Sequence, residues 1–413
     1  EVFLITTVSW VTISLFAALP FYLRGGMGLT NAVFESVSGL TTTGSTVMVG
    51  LDGMPPGILL WRSLLQWIGG IGIVVMAIMI LPFLKIGGMQ LFRTESSERG
   101  EKVVSRPLHL TLYIGGVYVG LTAACAAAYA VAGMSAFDAV NHAMTTLSTG
   151  GYSTHDASFG HFKEPAIPLI GTFFMASGAL PFVLYIKSLK GNWGALWRDE
   201  QVRGFLKLIA FATLGMAGWL CVVDGVAILE AIEMAVFNVT SVVTTTGYAS
   251  ADYGTWGAFP VGIFLLLTFL GGCTGSTSGA IKVFRHQVMY LMMRRQIKLF
   301  TFPRGVFPTR YNGTTLSDDI VPSVIAFIAA FFAAVGLLTL ALCFLNLDLV
   351  TSFSGAATAI ANVGPGLGPI IGPSGNFAPL PDTAKWLLAL GMLLGRLEIF
   401  TVLVVFTPAF WRG

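Results

Sequence analysis

The chain is short of charge. Of 413 residues only 10% are Asp, Glu, Lys or Arg, against roughly a quarter in soluble domains. A water-facing globular exterior cannot be built from so few. Cysteine is sparse as well. Cys125, Cys221, Cys273 and Cys343 each stand alone in or beside an apolar stretch, at spacings that suit neither a metal site nor a disulfide, so they read as small buried apolar residues. Neither a Walker A sequence nor a phosphorylated-Asp motif occurs, which removes ATP chemistry from this chain itself. An intramembrane enzyme would need His, Asp, Glu or a Ser/Lys pair converging inside the apolar segments. The polar residues there are chiefly Thr, Ser, Asn and Gly, which argues against that class. The chain also opens without Met or a signal peptide: Glu1 already stands in a helical run, so the natural chain is expected to extend upstream.

What is present is hydrophobic length. Hydrophobic residues make up 55% of the chain and mean hydropathy is +0.79. Runs long enough to cross a bilayer, about 20 residues as helix, lie at Val2 to Leu23, Ile58 to Leu84, Leu108 to Ala132, Ala166 to Ile186, Phe205 to Val223, Val321 to Leu345 and Trp386 to Phe410. An eighth, Phe259 to Leu299, starts apolar, breaks at LGGCTGSTSGA (270–280) and resumes as a basic amphipathic stretch. The net charge of +3 says little, but the distribution of Lys and Arg orients the chain. Lys85, Arg93, Arg99, Lys102 and Arg106 fall after the second span. Lys187, Lys190, Arg198, Arg203 and Lys207 follow the fourth, and Lys282, Arg285, Arg294, Arg295, Lys298, Arg304 and Arg310 follow the break in the eighth. The alternate loops hold only Arg24, Lys163 and, at the edge of the last span, Lys385. The basic loops, and with them both visible ends, therefore face the cytoplasm.

A repeat runs through the outer loops. It reads NAVFESVSGLTTTGST (31–46), FDAVNHAMTTLSTGGYS (137–153), EMAVFNVTSVVTTTGYA (233–249) and TSFSGAATAIANVGPGLG (351–368). Alignment on Gly44, Gly150, Gly247 and Gly364 gives spacings of 106, 97 and 117 residues. The units are 1–84, 108–190, 203–299 with the broken second helix, and 320–413. Each has a long helix, a short one, a Gly turn and a second long helix. The short piece cannot span a bilayer and must return to the side it entered. Non-helical backbone at membrane depth is tolerated only in protein or beside a watery cavity. Four parallel copies would meet around an axis. The fold class is therefore an all-α membrane protein with four tandem helix–pore-loop–helix repeats around a central ion pore.

The turns indicate what such a pore takes. Before the aligned glycines stand Thr42 and Thr43, Ser148 and Thr149, Thr245 and Thr246, and Asn362 and Val363. A ring of backbone carbonyls replaces the hydration shell of an alkali cation, and glycine permits the backbone that presents them. Each short helix points its partially negative end at the ring. Asp and Glu are missing from the turns, which argues against a divalent-cation site. One copy of Thr-Thr-Thr-Gly would be read as the end of a buried helix, but four copies in phase with helix pairs call for a filter.

These residues resemble the Trk/Ktr/HKT superfamily of potassium transporters, and within it the TrkH-type bacterial membrane subunit. The resemblance spans essentially the whole chain. It rests on TTTGST, STGGYS, TTTGYA and NVGPGLG, on GGCTGSTSGAIKVFR (271–285), and on Arg396 in LLGRLEIF (393–400). It implies one filter through which potassium passes, in a multi-pass protein of the bacterial inner membrane. Retention of Gly44, where relatives with Ser admit sodium, favours potassium. It also implies a homodimer and a cytosolic ring of RCK-type, nucleotide-binding regulatory subunits (TrkA-like). TrkH-type proteins usually carry two further helices before the first repeat, which the visible start lacks. No cofactor is expected in the chain, only potassium as cargo, with lipid as solvent and no nucleic acid as partner. The ion-translocating subunit of an ATP-driven potassium pump is the alternative; its ATP chemistry would belong to a P-type ATPase partner.

Two further features bear on gating. Gly271, Gly272, Cys273, Thr274, Gly275, Ser276, Thr277, Ser278 and Gly279 have too little side chain to persist as a lipid-facing helix. By position they lie on the cytoplasmic side of the filter and could plug it, the role the resemblance assigns them. Close helix packing through Gly271 and Gly275 is the alternative. Arg396 stands inside the last apolar span, where an unpaired Arg costs roughly 3 kcal/mol or more. It reads as a barrier to cations below the filter or, alternatively, as a tie to a helix's carbonyl end. Glu398 is too near in sequence to share its face. Glu35, Asp138 and Glu233 lie early in the short helices and read as partners of the positive helix start. His142 reads as a packed, hydrogen-bonded imidazole, and TESSERGEK (94–102) as a solvated loop or a regulator's docking surface.

Overall fold

A computed structural model describes residues 2–79, 107–316 and 320–412. The linker TESSERGEK and the basic residues from Lys85 to Arg106 lie outside the described residues.

Each unit begins with a long apolar helix: Val2–Ala17 continuing as Leu19–Leu23, Pro107–Val131, Glu200–Val223 and Ile320–Phe344. Each is followed by a short helix, Leu29–Leu40, Ala136–Leu147, Ile228–Val243 or Leu349–Ala361. The short helices start on local caps where the sequence supplies them. Ser135 accepts from the backbone of Asp138, and Asp348 from that of Thr351. A non-helical turn then leads to the returning element: Pro56–Met79, Ala166–Gly178 with Phe182–Leu189, Ala258–Leu267 with Val283–Thr301, or Asp382–Arg396 with Phe400–Val405.

Burial is arranged for a hydrocarbon solvent. The short helices are enclosed almost residue by residue from Ala32 to Leu40 and from Ala356 to Ala361. The long helices turn large apolar side chains outward instead; Phe211 is 80% exposed and Phe344 85%. Polar turns sit inside an apolar shell, the reverse of a soluble core.

Among the described residues five helices are long and apolar enough to span a membrane, or six if one bent pair is a single span. Two runs expected as continuous spans are broken. Ala166 to Ile186 bends by 92° between Gly178 and Phe182. Pro181 has no N–H to continue the helix, and the freed groups bond the glycine-rich segment instead: Cys273 N donates to Ala179 O at 2.9 Å and Phe182 N to Gly275 O at 3.0 Å. The last run stops after Arg396, where Glu398 adopts a positive φ of 59°. That break lets Glu398 accept from Arg285 Nη2 at 2.6 Å, a partner 113 residues away.

Glu35 is not at a helix start. It lies in the middle of its short helix, fully buried, and receives Arg62 Nε at 2.8 Å, Thr46 Oγ1 at 2.9 Å and the backbone of Val47 at 3.0 Å. Arg62 also donates to Ser153 O at 2.9 Å and lies 4.0 Å from the Tyr152 ring centroid. This pair ties the first turn to the second. Of the other carboxylates, Asp138 accepts from the Ser135 and Thr154 hydroxyls, whereas Glu233 is exposed. His142 is packed as expected, bonded to Asp138 O at 2.9 Å and to Ser153 Oγ at 3.0 Å. The four cysteines are free, Cys125 and Cys273 buried and the other two partly so.

Leaving one member of a buried ion pair alone costs about 3–5 kcal/mol. Arg62→Ala is therefore expected to lower the thermal midpoint of the detergent-solubilised protein well below that of a surface control such as Arg412→Ala. Equal midpoints would show that the pair does not hold the turns together.

Candidate ion pathway

The four turns close into a ring. Each leaves its short helix through a non-glycine residue in the left-handed region, Thr42 (φ 53°), Thr149 (52°), Thr245 (59°) or Asn362 (55°). Two residues later a glycine repeats the conformation: Gly44 (88°), Gly151 (77°), Gly247 (80°) and Gly364 (111°). The contacts of these glycines run around a cycle. A Cβ on Gly44 would stand 2.2 Å from Gly150 O, one on Gly151 1.8 Å from Thr246 O, one on Gly247 2.0 Å from Val363 O, and one on Gly364 2.9 Å from Thr43 O. Each unit thus lays its glycine against a carbonyl of the next, and the fourth returns to the first. No side chain fits in those gaps.

The register in the second unit differs from the sequence alignment by one residue. Gly151, not Gly150, matches Gly44, Gly247 and Gly364, while Gly150 takes the position of Thr43, Thr246 and Val363. Ser148 consequently lies one step further from the ring, at the position that Thr41 and Thr244 hold in their units, with its hydroxyl on Thr145 O at 3.3 Å. Gln66 explains why this unit has two glycines. A Cβ on Gly150 would meet Gln66 Cδ at 2.4 Å, and Gln66 Nε2 donates to Gly150 O at 2.6 Å while its Oε1 accepts from Tyr152 N at 3.0 Å. The amide of Gln66 fills the space of the missing side chain. Elsewhere the hydroxyls brace one another, Thr41 with Thr43 at 2.7 Å and Thr244 with Thr246 at 2.8 Å. Asn362 Nδ2 reaches Thr43 Oγ1 at 2.9 Å, and Ser45 Oγ reaches Gly364 O at 2.7 Å.

One face of the ring opens into a cavity of about 80 Å³ lined by all four of these glycines together with Arg62, His155 and Asp156. The other face meets the segment from Gly271 to Lys282. Thr277 Oγ1 stands within hydrogen-bond reach of Leu147 O at 3.0 Å and Gly178 O at 2.9 Å; Gly279 N donates to Thr245 Oγ1 at 2.6 Å and Ala280 N to Ala361 O at 2.8 Å. The segment therefore touches the ends of the short helices of units two, three and four. Its own folding uses Ser276 Oγ on Cys273 O at 2.6 Å, and Thr274 N on Gln201 Oε1 at 2.9 Å. Gly271 and Gly272 pack against Gly279 and Ala179. Lys282 Nζ donates to Ser278 O, and Arg396 Nη1 donates to Thr277 O at 3.0 Å. Arg396 Nε and Nη2 are buried without a partner among the described residues.

Sequence reasoning missed Gly151, Gln66, the Glu35–Arg62 pair and the cluster of Lys282, Arg285 and Glu398. The second glycine of STGGYS was the available signal for the first. The others are joined only through the fold.

Residues 1–412 match the TrkH family, described as a cation transport protein. The chain is 54% identical to the Trk system potassium uptake protein TrkI of Halomonas elongata, over all of this chain and 84% of that one. It is 38% identical to the Trk system potassium uptake protein TrkH of Vibrio parahaemolyticus, over the whole chain and 86% of the relative. The crystal structure of the potassium transporter TrkH from Vibrio parahaemolyticus superposes with a TM-score of 0.92 at 36% identity, covering all of this chain and 86% of that one. The protein is a multi-pass membrane transport protein, not an enzyme, and it belongs to the TrkH family.

The two candidate glycines are separable. Gly151→Ala places a Cβ at positive φ against a backbone carbonyl, whereas Gly150→Ala meets the end of a side chain that can move. Thermal unfolding is expected to rank Gly151→Ala as the less stable, and Gln66→Ala to recover part of the loss in Gly150→Ala but none in Gly151→Ala. The reverse order would restore the alignment on Gly150.

Proposed function

We propose that the chain is the ion-conducting subunit of a potassium uptake system, with the ring as its selectivity filter and the segment 271–279 as its gate. The observation that carries this reading is the cyclic contact of four glycines with four carbonyls. It brings backbone oxygens from all four units to one axis, where they replace the hydration shell of a potassium ion. The filter residues are Thr42, Thr43 and Gly44, Thr149, Gly150 and Gly151 with Ser148 beneath, Thr245, Thr246 and Gly247, and Asn362, Val363 and Gly364. The four short helices converge on the ring with their partially negative ends. Buried oxygens without partners among the described residues, Thr42 Oγ1 and Asn362 Oδ1, add ligands for ion or water. The names of the relatives as potassium uptake proteins support the choice of ion.

The segment 271–279 blocks the cytoplasmic exit, and Arg396 holds it through Thr277 while adding a positive charge below the filter. Conduction requires the segment to move aside. Its glycines make rearrangement cheap, and its hydroxyls satisfy backbone groups freed on the way. The basic helix Val283–Thr301 follows directly, and a cytosolic RCK-type regulator acting on it in a homodimeric assembly sets the position of the gate. The four units serve as quarter-modules of a single pathway.

Reversal potentials of the purified protein in bilayers under potassium and sodium gradients test the filter. The parent is expected to prefer potassium and rubidium over sodium, and Gly44→Ser or Gly247→Ser to erode that preference, since either side chain collides with a carbonyl of the next unit. Unchanged ratios in both variants would remove the filter assignment.

The gate is tested by flux. Arg396→Ala, or deletion of several residues within 271–279, is expected to raise basal potassium flux severalfold while the potassium preference persists. Loss of flux in a well-folded variant would show that segment and arginine are packing elements.

A further inference from the structure

Three side chains converge on the outer side, where the transport reading gives them no task. Asp52 lies in the single turn Leu51–Gly53 of the first outer loop, and His161 ends the turn Ser158–His161 of the second. His155 Nδ1 stands 2.5 Å from Asp52 Oδ1, and His161 Nδ1 4.0 Å from the same oxygen. The two imidazoles stack with centroids 3.5 Å apart and planes 3° from parallel, so both rings present Nδ1 to one carboxylate. One donor atom from each residue lies within 4.8 Å of the other two. Behind this group His155 Nε2 is buried without a hydrogen-bond partner among the described residues and faces Asp138 Oδ1 at 3.4 Å. Asp138 is itself fixed by the Ser135 hydroxyl at 2.6 Å and the Thr154 hydroxyl at 2.7 Å. A carboxylate behind the second ring nitrogen is the usual orienting partner of a metal-bound histidine.

We propose that Asp52, His155 and His161 form an outward-facing site for a divalent transition-metal ion of the Zn²⁺ class, and that its occupation slows cation entry. Two imidazole nitrogens and one carboxylate suit Zn²⁺, Cu²⁺ or Ni²⁺, whereas Mg²⁺ and Ca²⁺ take oxygen ligands. Bonds of about 2.0–2.2 Å in a tetrahedron place donors roughly 3.3 Å apart. The contact of His155 with Asp52 must open and that of His161 must close, each by less than about 1 Å, and the second move also swings the His161 ring out of parallel so that the in-plane lone pairs of both imidazoles meet at the ion. Both moves are available, since the side chains of Asp52 and His161 are 52% and 46% exposed. Water completes the fourth position. The site joins the outer loops of the first two units, and His155 also lines the cavity that opens onto the four ring glycines. A bound divalent ion brings positive charge to that entrance and ties the two loops together. The inhibitory effect rests on the pathway reading above; the metal site does not.

The test uses the full chain in nanodiscs, with Zn²⁺ binding followed by titration calorimetry and Mg²⁺ as the control ion. One Zn²⁺ per chain is expected, with affinity lowered at least about tenfold in His161→Ala and in Asp52→Asn, and by about tenfold in Asp138→Asn through the second ring nitrogen. Binding of Zn²⁺ equal in the parent and in the Asp52→Asn/His161→Ala double variant, or no stronger than that of Mg²⁺, would overturn the site. In proteoliposomes, external Zn²⁺ is expected to reduce rubidium uptake over the concentration range in which it binds. His161→Ala should take up rubidium normally without metal and escape the inhibition. Binding without any loss of uptake would overturn the inhibitory part alone. Failure of the filter reading would appear separately, as unaltered selectivity in Gly44→Ser, and would leave the Zn²⁺ titration unchanged.

Discussion

Four stretches of non-helical backbone enclosed by apolar helices are tolerable only if each polar group finds a partner, and here the turns find one another. The contact of each glycine with the next unit's carbonyl is the constraint on which the rest depends. It admits no Cβ at Gly44, Gly151, Gly247 or Gly364, and it fixes the distance between units. The short helices must then end at a common depth, and the long helices wrap around them with apolar faces outward.

The ring is fourfold in backbone but not in side chains. Unit one braces its turn with Thr41 and Thr43, and unit three does the same with Thr244 and Thr246. Unit two has glycine at the corresponding place and borrows the amide of Gln66 from the first unit's long helix. Unit four uses Asn362, whose amide bridges Thr43 and Met392 O. A single polypeptide can thus keep a symmetric backbone ring while differentiating its surroundings, which four identical subunits could not do. The break of unit three into a glycine-rich segment is the largest such difference, and it places one non-helical element against a ring built from four.

Buried charge is divided by the ring. On its outer side Glu35 and Arg62 neutralise each other and hold the turns of the first two units together. On the inner side Arg285 pairs with Glu398, while Lys282 and Arg396 are held by carbonyls of the glycine-rich segment, Ser278 and Thr277. Both cations therefore depend for their partners on the backbone of that one segment.

The sequence by itself determined the solvent, the fourfold repeat and the chemistry of the turns, because each is written locally: hydrophobic length, a recurring Thr/Ser-Gly motif, and the absence of carboxylates beside it. It also marked 271–279 and Arg396, since glycine runs and a lone arginine conflict with an apolar span. Tertiary structure decided what depends on a partner far along the chain. STGGYS offers two glycines, and only the carbonyl of Thr246 selects Gly151. The apolar run from Ala166 to Ile186 looks continuous until Pro181 and the bonds to Cys273 and Gly275 bend it. Glu35, read as a helix-start carboxylate, became half of a buried pair because Arg62 lies 27 residues on, and Glu398 turned from the face of its own helix to meet Arg285. Periodicity and motif are properties of neighbours in sequence, whereas register and charge pairing are set by what the fold brings within hydrogen-bond reach.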